Sequence, residues 1–167
     1  VYAEKHPEFS GRSIEDLANE VGKDVLDFVF DILIEEDGMV SIVMFAMCEE
    51  DVRRVMKSPY MMVGTDGSAI SPRGILGRGK PHPRFYGTFP RILGRYVREE
   101  RVLTLQEAVR KMTSMPAQKL GLRDRGLLRE GMIADIVIFD ADEIIDEATF
   151  TDPHKFPRGI HYVIVRG

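Results

Sequence analysis

The 167-residue sequence contains one cysteine, Cys48, and no tryptophan. A lone cysteine excludes an intrachain disulfide framework and any zinc module built from several thiolates. No apolar stretch approaches the roughly 20 residues of a membrane span, so a membrane is not an expected partner. The sequence opens Val1-Tyr2-Ala3-Glu4, with neither an initiator Met nor a signal-peptide pattern. The expectation is a cytoplasmic protein, or a segment excised from one. The chain is also short of the roughly 200 residues of a complete (β/α)8 barrel, which excludes that fold for these residues alone. What remains, 44% hydrophobic and 30% charged, is an ordinary globular composition.

Acidic residues are missing from one window. Between positions 67 and 98 stand Arg73, Arg78, Lys80, Arg84, Arg91, Arg95 and Arg98, with no Asp or Glu. The window carries +7 of an overall −4, so the remainder carries −11. Such a patch suits a small anionic ligand or a local nucleic-acid contact. The competing reading is a set of arginines paired with acids elsewhere in the fold.

Ser13 and Asp16 read as the cap of a helix over residues 14–21, stopped by Gly22. Asp24 caps a second helix with a core stripe of Val25, Phe28, Val29, Ile32 and Leu33, closed by Asp37-Gly38. Residues 39–47 are apolar except for Ser41 and read as a strand buried on both faces. A helix over 49–57 follows, with acids first and Lys57 last, then a second buried strand over 60–64. This order predicts a parallel α/β arrangement. Glycines and prolines crowd residues 67–90, a loop long enough to be functional or disordered. Pro90 is placed to open a helix running to about Glu100. Thr104 and Glu107 form a capping box for a helix over 105–114. Met115-Pro116 starts another turn ended by Gly121, and residues 135–140 and 161–166 read as strands. Nothing repeats internally.

Asp66 directly follows an apolar strand pattern and precedes Gly67. In parallel α/β folds the carboxyl ends of strands face the site, so this carboxylate is a candidate general base or metal ligand. Asp-Gly is also a common turn pair, and that alternative stays open. The surrounding residues narrow it. They are Val63-Gly64-Thr65-Asp66-Gly67, His82-Pro83-Arg84-Phe85-Tyr86-Gly87-Thr88-Phe89-Pro90-Arg91, Leu103 to Ala108, Met112-Thr113, Pro116-Ala117 and Gly126 to Val137. Together they resemble the C-terminal part of the N-acyl-D-amino-acid deacylases (D-aminoacylases), a branch of the metal-dependent amidohydrolase superfamily. The resemblance covers nearly the whole chain. The segment from Gly131 to Asp135 marks the superfamily only, and the run from His82 to Arg91 is much more specific to the branch.

The resemblance implies an α/β fold: residues 1–121 as the last strands and helices of a (β/α)8 barrel, and 122–167 as part of a small β-domain. Residues 39–47 and 60–64 would match the last two barrel strands. It implies hydrolysis of the linear amide bond of N-acyl-D-amino acids. Asp66 would be the general base and acid on water at the metal, and a possible metal ligand. Arg84 would bind the substrate carboxylate. The cofactor implied is zinc, one or two ions, with the other ligands outside this chain; His6, His82, His154 and His161 lack the spacing for that role. The 167 residues then resemble the last third of a larger enzyme. The isolated segment is expected to be inactive, metal-poor and self-associating. The remainder of its own barrel and a small N-acyl amino acid are the expected partners, and nucleic acid is not.

Other residues carry less. His82 lines the pocket or is a plain loop histidine. Cys48 reads as a packing or capping residue. Met39, Met44, Met47, Met61 and Met62 read as core or pocket lining. Phe85 and Tyr86 are expected over the pocket mouth, and His154 and His161 far from the chemistry. Two alternatives stand beside the deacylase: a hydantoinase-like or dihydroorotase-like cyclic amidase, and a non-catalytic module whose basic window binds an anion or a partner.

Overall fold

Side-chain caps start the first helices where the sequence places them. The Ser13 hydroxyl accepts from the Asp16 amide at 3.0 Å, and helix α1 runs Ile14–Glu20. Asp24 accepts from Leu26 at 2.9 Å and opens α2, Val25–Glu35. Such caps satisfy amides that have no partner inside the helix. The computed structural model describes residues 1–167 throughout. After β1 (Tyr2–Ala3), α1 and α2 come β2 (Val40–Ser41), α3 (Glu49–Lys57), α4 (Arg84–Arg91), α5 (Leu105–Met112), α6 (Ser114–Lys119), β3 (Ile136–Phe139) and β4 (Ile160–Ile164). A π-helical stretch, Ile92–Glu99, continues α4, and short 3-10 turns lie at Pro7–Phe9 and Gly74–Gly77. No helix is long and apolar enough to cross a membrane.

Two apolar clusters organise these elements. Ala3, Leu17, Ala18, Phe28 and Ile32 form the first. Phe28 and Ile32 are the buried members of the expected α2 stripe, while Val25 and Leu33 at its edge stay partly exposed. The buried Glu36 carboxylate closes this unit, accepting the Glu4 amide at 3.0 Å and the Lys5 amide at 2.9 Å. The second cluster joins Met56, Ile92, Leu93, Tyr96, Leu103, Ala108 and Ile144. Gly94 makes it possible: a Cβ there would meet the Ile144 carbonyl oxygen at 2.4 Å.

The two expected strands do not form. Of residues 39–47 only Val40–Ser41 pairs, antiparallel, with Tyr2–Ala3, and 60–64 form no strand. β3 and β4 make the other two-stranded sheet, also antiparallel. Neither a parallel sheet nor a barrel is built by these 167 residues. The reason is cooperative. A strand that is apolar on both faces needs neighbours on both edges and cover on both faces, and no segment of this chain supplies them. Met39, Met44 and Met47, expected in a core or lining a pocket, are therefore exposed, and Phe45 is 79% accessible.

Pro90 does not open a helix. It lies buried inside one that begins six residues earlier, at Arg84. Proline offers no amide to the preceding turn. Beyond it the helix widens to π-type bonding, as at its end, where the Glu100 amide donates to the Arg95 carbonyl at 2.8 Å. Such widened turns occur where a helix accommodates an irregularity.

Most of the basic window is neutralised locally. Arg84 pairs with Asp66, Arg91 with Asp146, Arg95 with Glu49 and Glu100, and Arg98 with Glu99. Glu100 also takes Arg53 of α3 at 2.7 Å, which ties α3 to the π-helical stretch. Hydrogen bonds from Arg53 and then Arg95 hold the Glu100 carboxyl at about 2, well below its ordinary 4.5. A lowered carboxyl pKa stabilises the fold above the unfolded value and loses that contribution as pH falls through the folded value. In Glu100→Gln, the loss of stability between pH 4.5 and 2 is expected to be shallower than in the parent, read as the urea midpoint against pH. Equal slopes would contradict the network.

Candidate active site

Asp66 ends the stretch from Tyr60, and its backbone is left-handed, with φ of 45°. Aspartate tolerates this conformation better than most side chains. Gly67 then lets the loop lie against the first turn of α4, since a Cβ there would meet the Phe85 Cα at 3.3 Å. That approach brings together the two residues expected to share a site. Arg84 Nη2 stands 2.8 Å from Asp66 Oδ2, and Arg84 Nε donates to the Asp66 carbonyl at 3.0 Å. The guanidinium thus grips one residue at two points. The Asp66 side chain remains 87% exposed, free to turn away.

His82 prepares the arginine. Its Nδ1 accepts the Arg84 amide at 3.0 Å and takes the place of a capping side chain at the start of α4. A nitrogen that accepts must be unprotonated, so this contact assigns the neutral ring with its proton on Nε2. Burial, and next the charge of Arg84, push the His82 pKa below its usual 6.5. His82 is therefore more than a loop histidine: it orients the segment that presents Arg84.

The connection between β3 and β4 folds over this region. Phe150 meets His82 edge-on, with ring centroids 5.1 Å apart, and also meets Phe45 at 5.1 Å. Tyr86 Oη lies 3.1 Å from His154 Nδ1, and His154 Nε2 lies 3.2 Å from the Gly79 carbonyl. His154, expected far from the chemistry, is thus two residues from Arg84 in contact terms. The sequence carried no signal for this, because the contact is made by a loop returning between two strands. His161 stays on β4. Cys48 occupies the N-cap position of α3, exposed, with its thiol 3.3 Å from Asp51.

Lys111 was not anticipated either. It is 1% exposed, and its Nζ donates to the carbonyls of Ser58 and Met61, the latter at 3.2 Å. The clue in the sequence was a lysine three residues after Ala108, on the inward face of a predicted helix. The structure brings no group of three or more His, Cys, Asp or Glu side chains close enough to hold a metal ion.

A family model described as the amidohydrolase family matches residues 13–167. The N-acyl-D-glutamate deacylase of Alcaligenes xylosoxydans xylosoxydans is 41% identical over 162 residues, 97% of this chain. The D-aminoacylase of the same organism is 40% identical over 161 residues, 96% of this chain. The chain spans 31% of the length of each of these relatives. Among solved structures, N-acyl-D-glutamate deacylase from Bordetella bronchiseptica, complexed with zinc and a phosphonate inhibitor, superposes with a TM-score of 0.81 at 38% identity. That likeness covers 99% of this chain and 32% of the neighbour.

The electrostatics can be tested directly. The His82 imidazole is expected to titrate below 6.5 by NMR, and to move upward in Arg84→Met. An unchanged or lower value in the variant would contradict the proximity.

Proposed function

The chain belongs to the amidohydrolase family, and on that premise we propose that it is the C-terminal part of a metal-dependent deacylase of N-acyl-D-amino acids. The observation that carries the reading is the meeting of Asp66 and Arg84 at 2.8 Å, within a stretch that matches deacylases over 97% of its length. That coverage supports a linear N-acyl substrate over the cyclic amide of a dihydroorotase-like enzyme. In this reading residues 1–121 complete a (β/α)8 barrel whose other strands cover the exposed segment 39–47, and 122–167 contribute to a small β-domain. The exposed apolar residues there make self-association of the isolated chain the expected behaviour.

Arg84 binds the substrate's α-carboxylate. Its planar fork suits a carboxylate at two points, and Asp66 now occupies that fork. A substrate carboxylate competes for the same guanidinium and releases the Asp66 side chain toward the scissile amide. Asp66 then takes a proton from the attacking water as its oxygen bonds to the carbonyl carbon. It returns the proton to the nitrogen as the carbon–nitrogen bond breaks. Both transfers use one carboxylate, so no second acid is needed.

One carboxylate does not hold a metal ion. The likeness to a zinc-bearing neighbour supports zinc, with Asp66 as one ligand and the others outside these residues. Bound there, zinc would polarise the amide carbonyl and acidify water.

In the complete enzyme, Asp66→Asn is expected to lower kcat by about 10²–10⁴-fold and to lower KM as well, because the neutral amide competes less for Arg84. Steady-state kinetics with an N-acyl-D-amino acid, run beside metal analysis, test this. Near-normal turnover would remove Asp66 from the proton path.

A further inference from the structure

Lys111 spends the closer contacts of its buried ammonium on main chain and only a longer one on an acid. The nearest carboxylate oxygen, on Glu107, is 3.7 Å away, and Arg110 already grips Glu107 with two bonds of 2.9 Å. Burying an ammonium is costly unless its donors are satisfied. Here the carbonyls of Ser58 and Met61 satisfy two of them. The same residue also ties the segment through its own backbone: the Lys111 carbonyl accepts the Val63 amide at 3.1 Å. One residue of α5 therefore holds three points of the run from Ser58 to Val63.

That run has no other ladder. It forms no strand, so its carbonyls and amides lack the partners that a sheet would give them. Lys111 takes the place of a neighbouring strand. Asp66 follows Val63 by three residues, a reach of at most about 10 Å of chain. Beyond that its backbone is held by the bond from Arg84 Nε to the Asp66 carbonyl and by the Gly67 amide donating to the Thr65 hydroxyl at 3.3 Å, while Met61 and Val63 pack on the second cluster.

We infer that Lys111 is a positioning residue for Asp66: by pinning Ser58, Met61 and Val63 to α5, it sets where the carboxylate stands relative to Arg84. The inference rests on the role given above to Asp66. The side chain does not touch the reacting atoms. Its effect is to hold the segment leading to Asp66 against α5, which packs on the π-helical continuation of the helix that carries Arg84.

The test uses the complete enzyme with Lys111→Met, which keeps length and apolar bulk but has no donors. The kcat is expected to fall by about 10–100-fold, the size of effect a misplacement near 1 Å produces, with KM little changed, because Arg84 is held by α4. Amide hydrogen exchange is expected to quicken at 61–66 while α4 and α5 keep their protection. Unchanged exchange at 61–66 overturns the inference. So does a uniform rise across the protein, which marks a purely structural role. If the methionine variant does not fold, Lys111→Arg serves. A folded arginine variant with lowered kcat and faster exchange confined to 61–66 is expected, and one identical to the parent overturns the inference. The exchange readout makes no reference to turnover. An active Asp66→Asn enzyme therefore overturns the reading of Asp66, whereas a normal exchange pattern in Lys111→Met overturns the placement alone.

Discussion

The close approach of Ile144 to Gly94 is the constraint from which the larger of the two apolar clusters follows. A side chain at position 94 would strike the Ile144 carbonyl oxygen, so glycine there admits the connection between β3 and β4 into the core. Ile144 then joins Ile92, Leu93 and Tyr96 on the π-helical stretch. Arg98 donates to the Ile144 carbonyl at 2.7 Å from the same helix. Ten residues before Gly94, the same helix begins at Arg84. The rigid body that seats Ile144 is thus the one that aims the guanidinium, and the connection it seats carries Phe150 and His154 over the site.

Local chemistry made much of the fold legible. Ser13, Asp24 and Thr104 each accept a backbone amide at a helix start, and such caps depend only on residues two or three apart. The paired strands β3 and β4 were legible from their alternating or apolar runs. The segments 39–47 and 60–64 were not, because a strand is made by its neighbours, and the sequence of one segment does not reveal whether they are present. Pro90 misled for a related reason. Its fixed φ suits a first turn, but burial within a helix that widens to π bonding accommodates it equally well.

The candidate site was legible in its two charged residues and not in what holds them. Asp66 and Arg84 stood out by the motif around them and are in contact. His82 bonds an amide only two residues on, as a helix cap does, whereas Lys111 and His154 act through tertiary hydrogen bonds to carbonyls and to a phenol. Such tertiary contacts leave no spacing pattern in the chain. The basic window resolves in the same way. Its excess of +7 is largely matched by acids that lie outside the window in sequence and beside it in space, with Arg73 and Arg78 the guanidiniums that have no acidic partner.

In the function we propose, Arg84 recognises a carboxylate that displaces Asp66. The most direct measurement compares two substrates in the complete enzyme: an N-acyl-D-amino acid, and the same molecule with its carboxylate converted to a carboxamide. With Arg84 present the acid should be strongly preferred in kcat/KM. In Arg84→Met the preference should collapse, because only the acid loses a partner, at a cost of about 2–5 kcal/mol. An equal fall for both substrates, with the preference intact, would contradict the assignment.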